Sequence, residues 1–146
     1  MKILYVASES TPFAASGGLA DVIGSLPAAL KKQNPEDDIR VIMPLYGTMD
    51  AAWREKLTFL TSRTVSLNWR NQYCGVFSAV YRNVTYYFID NEYYFKRASL
   101  YGEFDDGERF AFFCRAVVEL LPDLDFFPDV LHAHDWQAAL AVIYLK

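Results

Sequence analysis

Ser16-Gly17-Gly18-Leu19-Ala20-Asp21 sets two adjacent glycines directly before a helical pattern, an order of residue types suited to holding a phosphate. Lacking a Cβ, the glycines let the backbone come close to a bulky anion. The unpaired N–H groups of the first helical turn then point at that anion, and the helix dipole adds to the attraction. A tight turn, or a close helix–strand contact, would use the same pair of glycines, so both readings stay open. A second chemical group lies far along the chain, in His132-Ala133-His134-Asp135. Side chains two apart share one face of a strand, so both imidazoles lie together if the strand runs through them. If it stops at Ala133, only His134 sits at its mouth. The plainer alternatives are a hydrogen-bonded buried histidine for each ring and a helix N-cap for Asp135. A His-X-His pair needs further ligands to hold a metal, and none is evident, so neither a metal nor a cofactor is expected.

These groups need elements to position them. Lys2 to Ser8 is a short apolar run of strand type, and Pro12 follows it. Leu19, Val22, Ile23, Leu26, Ala29 and Leu30 recur at helical spacing, with Pro27 able to kink or shorten that helix. Asp38 to Pro44 is a second strand, which completes a βαβ unit and implies a parallel sheet. Leu57–Trp69, Tyr73–Arg82 and Val84–Asp90 are strand-like runs separated by turn signals at Arg70-Asn71 and Arg82-Asn83. Short connections favour antiparallel hairpins, so the middle third is a β excursion whose last strand can rejoin the main sheet. Asn91 to Glu103 is a loop of interleaved aromatic and basic residues, able either to stack on a sugar ring or to anchor itself. Glu108 to Leu121 is an apolar-faced helix capped by Asp105 or Asp106. Asp129 to His134 is the last strand, and Asp135 opens a final helix through Leu145.

In a parallel sheet the carboxyl ends of the strands share one edge, where open α/β sheets bind ligands. Gly17-Gly18 follows one such end and His134-Asp135 another, so the two groups should face a common cleft. The expected fold is α/β: a Rossmann-like, mostly parallel sheet with helices on both faces and an antiparallel β excursion.

Composition narrows the function classes. The chain has 146 residues, 53% hydrophobic and 16% aromatic, enough for one well-packed domain. The net charge is −4 and no Lys/Arg block occurs, which argues against a nucleic-acid groove. Cys74 and Cys114 lie in apolar patterns without paired spacing and are expected to be small buried hydrophobes. The apolar start is too short for a signal-peptide core or a membrane span, so the expectation is a cytoplasmic protein with reduced thiols and no membrane partner. The final helix runs to Lys146 without a closing signal, which suggests a piece of something longer.

The order of these motifs resembles the amino-terminal domain of bacterial glycogen synthases and plant starch synthases. The resemblance is carried by Glu9, Pro12-Phe13, Gly17-Gly18-Leu19-Ala20-Asp21-Val22, Pro44, Tyr46, Tyr101-Gly102, Asp105 with Arg109-Phe110, and His132-Ala133-His134-Asp135-Trp136. It implies a retaining glucosyltransferase that passes glucose from ADP-glucose to the non-reducing end of an α-1,4-glucan, in glycogen synthesis. It further implies that residues 1–146 are the first part of a two-Rossmann-domain enzyme, on the acceptor side. The carboxy-terminal nucleotide-binding domain is absent, so the fragment alone is expected to be inactive. Residue by residue, Gly17 and Gly18 match the phosphate loop, and Asp21 lies close to the donor and acceptor sugars. His134 contacts the transferred glucose, and Asp105 hydrogen-bonds the reacting sugars. In one departure, Ala15 stands where the family usually has a lysine on the donor phosphates. That departure motivates an alternative, a non-catalytic glucan-binding or regulatory relative. A flavodoxin-type phospho-ligand module is disfavoured by the β excursion and by His-Ala-His-Asp-Trp.

Overall fold

The computed structural model describes residues 1–146. The chain runs β1 (Lys2–Val6), α1 (Gly18–Gln33), β2 (Asp38–Pro44), α2 (Ala51–Arg54), β3 (Thr58–Leu67), β4 (Arg70–Tyr81) and β5 (Val84–Asp90). It continues with α3 (Glu92–Phe95), α4 (Asp106–Leu120), β6 (Val130–Ala133), a 3-10 turn at Trp136–Ala138 and α5 (Ala139–Tyr144). The strands form one sheet in the order β3-β4-β5-β2-β1-β6. Pairing is parallel from β5 through β2 and β1 to β6, and antiparallel among β3, β4 and β5. The excursion thus rejoins the main sheet at β5, as its sequence suggested.

The central strands explain their own composition. Val41, Ile42 and Met43 of β2 are all buried, as are Tyr86, Tyr87, Phe88 and Ile89 of β5, because both faces of the sheet are covered. The β1–α1–β2 and β5–α4–β6 crossovers travel in opposite directions along the sheet. Right-handed connections therefore put α1 on one face and α4 on the other. No helix is long and apolar enough to cross a membrane. Cys74 and Cys114 are unpaired and buried, and burial pushes their thiols up to about 12 and about 11.

α1 continues through Pro27 without a break. A proline leaves the carbonyl four residues earlier without its helical donor. Here that carbonyl, on Ile23, accepts instead from the buried Tyr86 hydroxyl at 3.3 Å. Close helix packing falls on Gly24 and not on the paired glycines. A Cβ at Gly24 would meet the Thr11 carbonyl at 3.0 Å, whereas at Gly17 and Gly18 it would meet nothing within 4 Å.

The structure corrects several local expectations. The β3–β4 turn is Asn68-Trp69, not Arg70-Asn71: Leu67 pairs with Arg70, and Asn68 takes a left-handed φ of 57° that asparagine tolerates. The Arg82-Asn83 turn stands, with both residues at positive φ. Neither Asp105 nor Asp106 caps α4 through its side chain. Asp106 accepts from the preceding Gly102 and Glu103 N–H groups, and Asp105 is drawn off by Arg97. The aromatic loop mostly anchors itself, since Tyr94 and Phe95 are fully buried against Phe112 and only Tyr93 is half exposed.

Candidate functional site

The carboxyl ends of β1, β2, β5 and β6 share one edge, and the segments leaving them build the site. β1 delivers Ser8, Glu9 and Ser10, all buried and polar. Burying a carboxylate is tolerable only where donors meet it. The Glu9 carboxylate accepts from the backbone N–H and hydroxyl of Ser16, and from the Tyr101 hydroxyl at 3.1 Å. Tyr101 also bonds the Ser8 hydroxyl at 2.6 Å, and the Tyr46 hydroxyl donates to the Ser8 carbonyl at 2.7 Å. Side chains from the ends of β1 and β2 and from the β5–α4 loop thus clamp the segment that presents Gly17. Burial holds the Tyr46 and Tyr101 hydroxyls protonated well above neutral pH.

Gly17 is extended (φ −170°) and is the N-cap of α1, where it supplies no side-chain cap. Its φ suits any residue, and open space lies over both glycines. The fold therefore does not itself require glycine at either position. Asp21 lies exposed in the first turn of α1, and Ala15 is exposed just before the glycines.

β6 ends at Ala133, paired with Val6, so the chain leaving it emerges beside the chain leaving β1. His134 donates its backbone N–H to the Val6 carbonyl at 2.9 Å and therefore sits at the mouth. Its ring stacks on Tyr5 (5.5 Å, 21°) and lies 4.1 Å from the His132 ring. Its Nε2 is buried with no hydrogen-bond partner in the protein. Asp135 takes a left-handed φ of 66° and accepts from the Trp136 N–H at 2.7 Å, so it caps the 3-10 turn. Trp136 is half exposed and meets Phe110 edge-on at 5.4 Å.

Asp105 stands at the start of α4, on the same edge. Its carboxylate is bound by the two terminal nitrogens of Arg97, at 3.1 and 3.0 Å. That pairing holds it below the usual carboxylate range. The contribution of the pair to stability is complete above the unfolded carboxylate's range and is lost as pH falls through the folded value. Gly17, Gly18, Asp21 and His134 thus share the edge where β1 and β6 end, while Asp105 lies further along it in an ion pair. No group of three or more His, Cys, Asp or Glu is placed to hold a metal.

Burial lowers the His134 pKa from its usual 6.5, and the neighbouring His132 adds to the effect. Neutral imidazole is favoured at the site, where Nε2 can exchange a hydrogen bond with a ligand. Because the unfolded chain binds the proton first, stability from this group is intact above pH 6.5 and declines as pH falls from there through the folded value. An imidazole NMR titration is expected to give His134 a midpoint below 6.5; a midpoint at or above it would contradict the buried geometry.

The sequence pattern assigned no site role to Glu9 or Tyr46, and read Arg97 and Tyr101 only as members of a loop able to stack on a sugar ring or to anchor itself. Only Glu9 carried a legible signal, an acid directly beyond an apolar strand, on the edge where α/β sheets bind ligands.

The family described as the starch synthase catalytic domain matches residues 2–146. The glycogen synthase of Halalkalibacterium halodurans is 56% identical over 146 residues, which is all of this chain and 30% of that protein. The glycogen synthase of Geobacillus stearothermophilus is 51% identical over the same span. Among solved structures, the catalytic domain of starch synthase IV from Arabidopsis thaliana, bound to ADP and acarbose, superposes with a TM-score of 0.83 at 29% identity. That alignment covers 98% of this chain and 29% of the Arabidopsis one. The chain spans about 30% of the length of the curated relatives it matches.

Proposed function

The chain belongs to the starch synthase catalytic-domain family, and from that premise we propose that it is the amino-terminal, acceptor-side part of a retaining, cytoplasmic glucosyltransferase. The parent enzyme takes glucose from ADP-glucose and adds it to the non-reducing end of an α-1,4-glucan. In the transfer, the bond between the glucose C1 and the diphosphate oxygen breaks, a bond from C1 to the acceptor hydroxyl oxygen forms, and the hydroxyl proton passes to the departing diphosphate. Positive charge develops on the sugar and negative charge on the departing ADP. Preorganised groups aimed at those charges are the main source of rate.

The observation that carries this reading is the unoccupied space over Gly17 and Gly18, at an uncapped helix N-terminus, on the same sheet edge as His134. The first-turn N–H groups of α1 receive the donor's phosphate oxygens. His134, neutral and with a free Nε2, hydrogen-bonds the transferred glucose. Asp21 lies beside both sugars. Asp105 reaches the sugars only while remaining paired to Arg97, which fixes its direction. Ala15 supplies no charge to the phosphates, so the backbone carries more of that task.

Labelled ADP-glucose incubated with glycogen tests the proposal. The full-length parent is expected to incorporate label, and residues 1–146 alone to give none above blank, because the second half of the donor site lies in the other domain. Incorporation by the fragment would overturn the division of labour. A parent that binds glycogen but transfers nothing would favour the non-catalytic relative, for which Ala15 is the motivating residue.

A further inference from the structure

A hollow of about 780 Å³ opens at the opposite edge of the sheet from Gly17, Gly18 and His134. Its volume falls in the range of small-molecule sites. α1 starts at the glycines and runs back for 16 residues, roughly 24 Å of helix, so its second half reaches the turn that opens β5. Ser25, Ala28, Ala29 and Lys32 recur at helical spacing along the flank that forms one wall. Arg82, in the β4–β5 turn, stands on the other side. Small side chains at 25, 28 and 29 leave the space, and cations stand around it.

The chain carries a net charge of −4, yet three cations line this hollow, Lys31, Lys32 and Arg82, and no carboxylate does. Every arginine except Arg54 and Arg82 pairs with an acid, and Lys31 and Lys32 pair with none. Two of the three cations are nonetheless held in place, by neutral partners. Lys31 Nζ donates to the Pro35 and Asp37 carbonyls at 2.9 and 2.6 Å, which leaves one of its protons free. The Arg82 guanidinium lies 5.1 Å from the Tyr81 ring centre, and one terminal nitrogen reaches the Gly24 carbonyl at 3.5 Å. A carbonyl or a ring fixes a cation without cancelling its charge. The acids that follow α1 are already taken, Asp37 by the terminal ammonium at 2.9 Å and Asp38 by Arg40 at 2.8 Å. Three uncompensated positive charges around one open hollow suit a ligand with several negative charges. Phosphate groups meet lysine as a point charge and arginine as a fork.

We infer that this hollow binds a small phosphorylated anion carrying at least two negative charges, at a site separate from the transfer cleft. Inorganic pyrophosphate and an organic phosphate ester share that chemistry. The lining alone carries the preference, whether or not the parent transfers glucose.

Acetylation of individual lysines, read by peptide mass spectrometry on the full-length parent, reports occupancy at the hollow itself. Lys32 is exposed and serves as the reporter. Millimolar pyrophosphate or glucose 1,6-bisphosphate is expected to slow its acetylation about threefold, the protection given by a ligand at about twice its Kd. Lys96, exposed at the other edge of the sheet, should keep its rate. Arg82→Gln is expected to abolish the protection, and Gly18→Ala, in the phosphate loop, to leave it. Stronger protection by the bisphosphate than by pyrophosphate would assign the site to a phosphate ester, and the reverse order to the inorganic anion; either upholds the inference. No protection by either probe would overturn it, as would protection that sodium chloride matches at equal ionic strength. Protection undiminished in Arg82→Gln, or lost in Gly18→Ala, would overturn it too.

Discussion

Replacing Arg109 with alanine is expected to lower the stability of this domain by about 3–5 kcal/mol, the range for breaking a buried charge pair. Arg109 is fully buried, and its side chain joins three segments. Nε donates to the Tyr94 carbonyl at 2.7 Å, and one terminal nitrogen donates to the Leu100 carbonyl at 3.0 Å and to Asp106 at 2.8 Å. Its guanidinium lies 5.3 Å from the Phe110 ring centre. Alanine would strand two buried carbonyls at about 1–3 kcal/mol each and leave a cavity besides. Arg109→Lys is expected to recover only part of the loss, because one ammonium cannot follow the divergent directions of the guanidinium fork. Urea unfolding midpoints read this directly. A loss below about 1 kcal/mol for Arg109→Ala would show that the loop carrying Tyr94 to Asp106 is held by something else.

His134→Ala in the parent enzyme is expected to lower kcat for glucose transfer by about 10²–10³, the effect typical of removing one preorganised group that meets the transition state. The backbone N–H of His134 bonds Val6 whatever the side chain, so the strand end stays in place. The lost stacking on Tyr5 costs about 0.5–1.5 kcal/mol of stability, too little to unfold the domain. A kcat within threefold of wild type, in a folded variant, would remove His134 from the transfer step.

The parts of the fold that depend on local pattern were legible. The βαβ unit, the antiparallel excursion and the long α4 follow from apolar periods that each segment carries by itself. The shared edge was legible too, because parallel strands leave no choice about where their carboxyl ends lie. What escaped depended on distant partners. Arg109 sits in an apolar helix pattern where a charged residue reads as solvent-facing, and only the carbonyls of Tyr94 and Leu100 explain its burial. Pro27 reads as able to kink or shorten α1, because Tyr86, which satisfies the freed Ile23 carbonyl, is remote in sequence. The Arg70-Asn71 turn signal lost to Asn68, an equally good turn residue two positions earlier. Glu9 went unread because its hold on Ser16 and Tyr101 emerges only when the β5–α4 loop folds across β1.

On the proposed function, Gly17 and Gly18 are glycines for a ligand and not for the fold. Gly18→Ala in the parent tests it most directly, with donor kinetics and thermal unfolding measured on the same variant. Alanine at the start of a helix is compatible with the backbone here and stabilises a helix relative to glycine by up to about 1 kcal/mol. An unchanged or slightly raised Tm is expected together with a KM for ADP-glucose raised about tenfold, a loss of about 1.4 kcal/mol in donor binding. An unchanged KM for ADP-glucose in a variant of wild-type stability would contradict it.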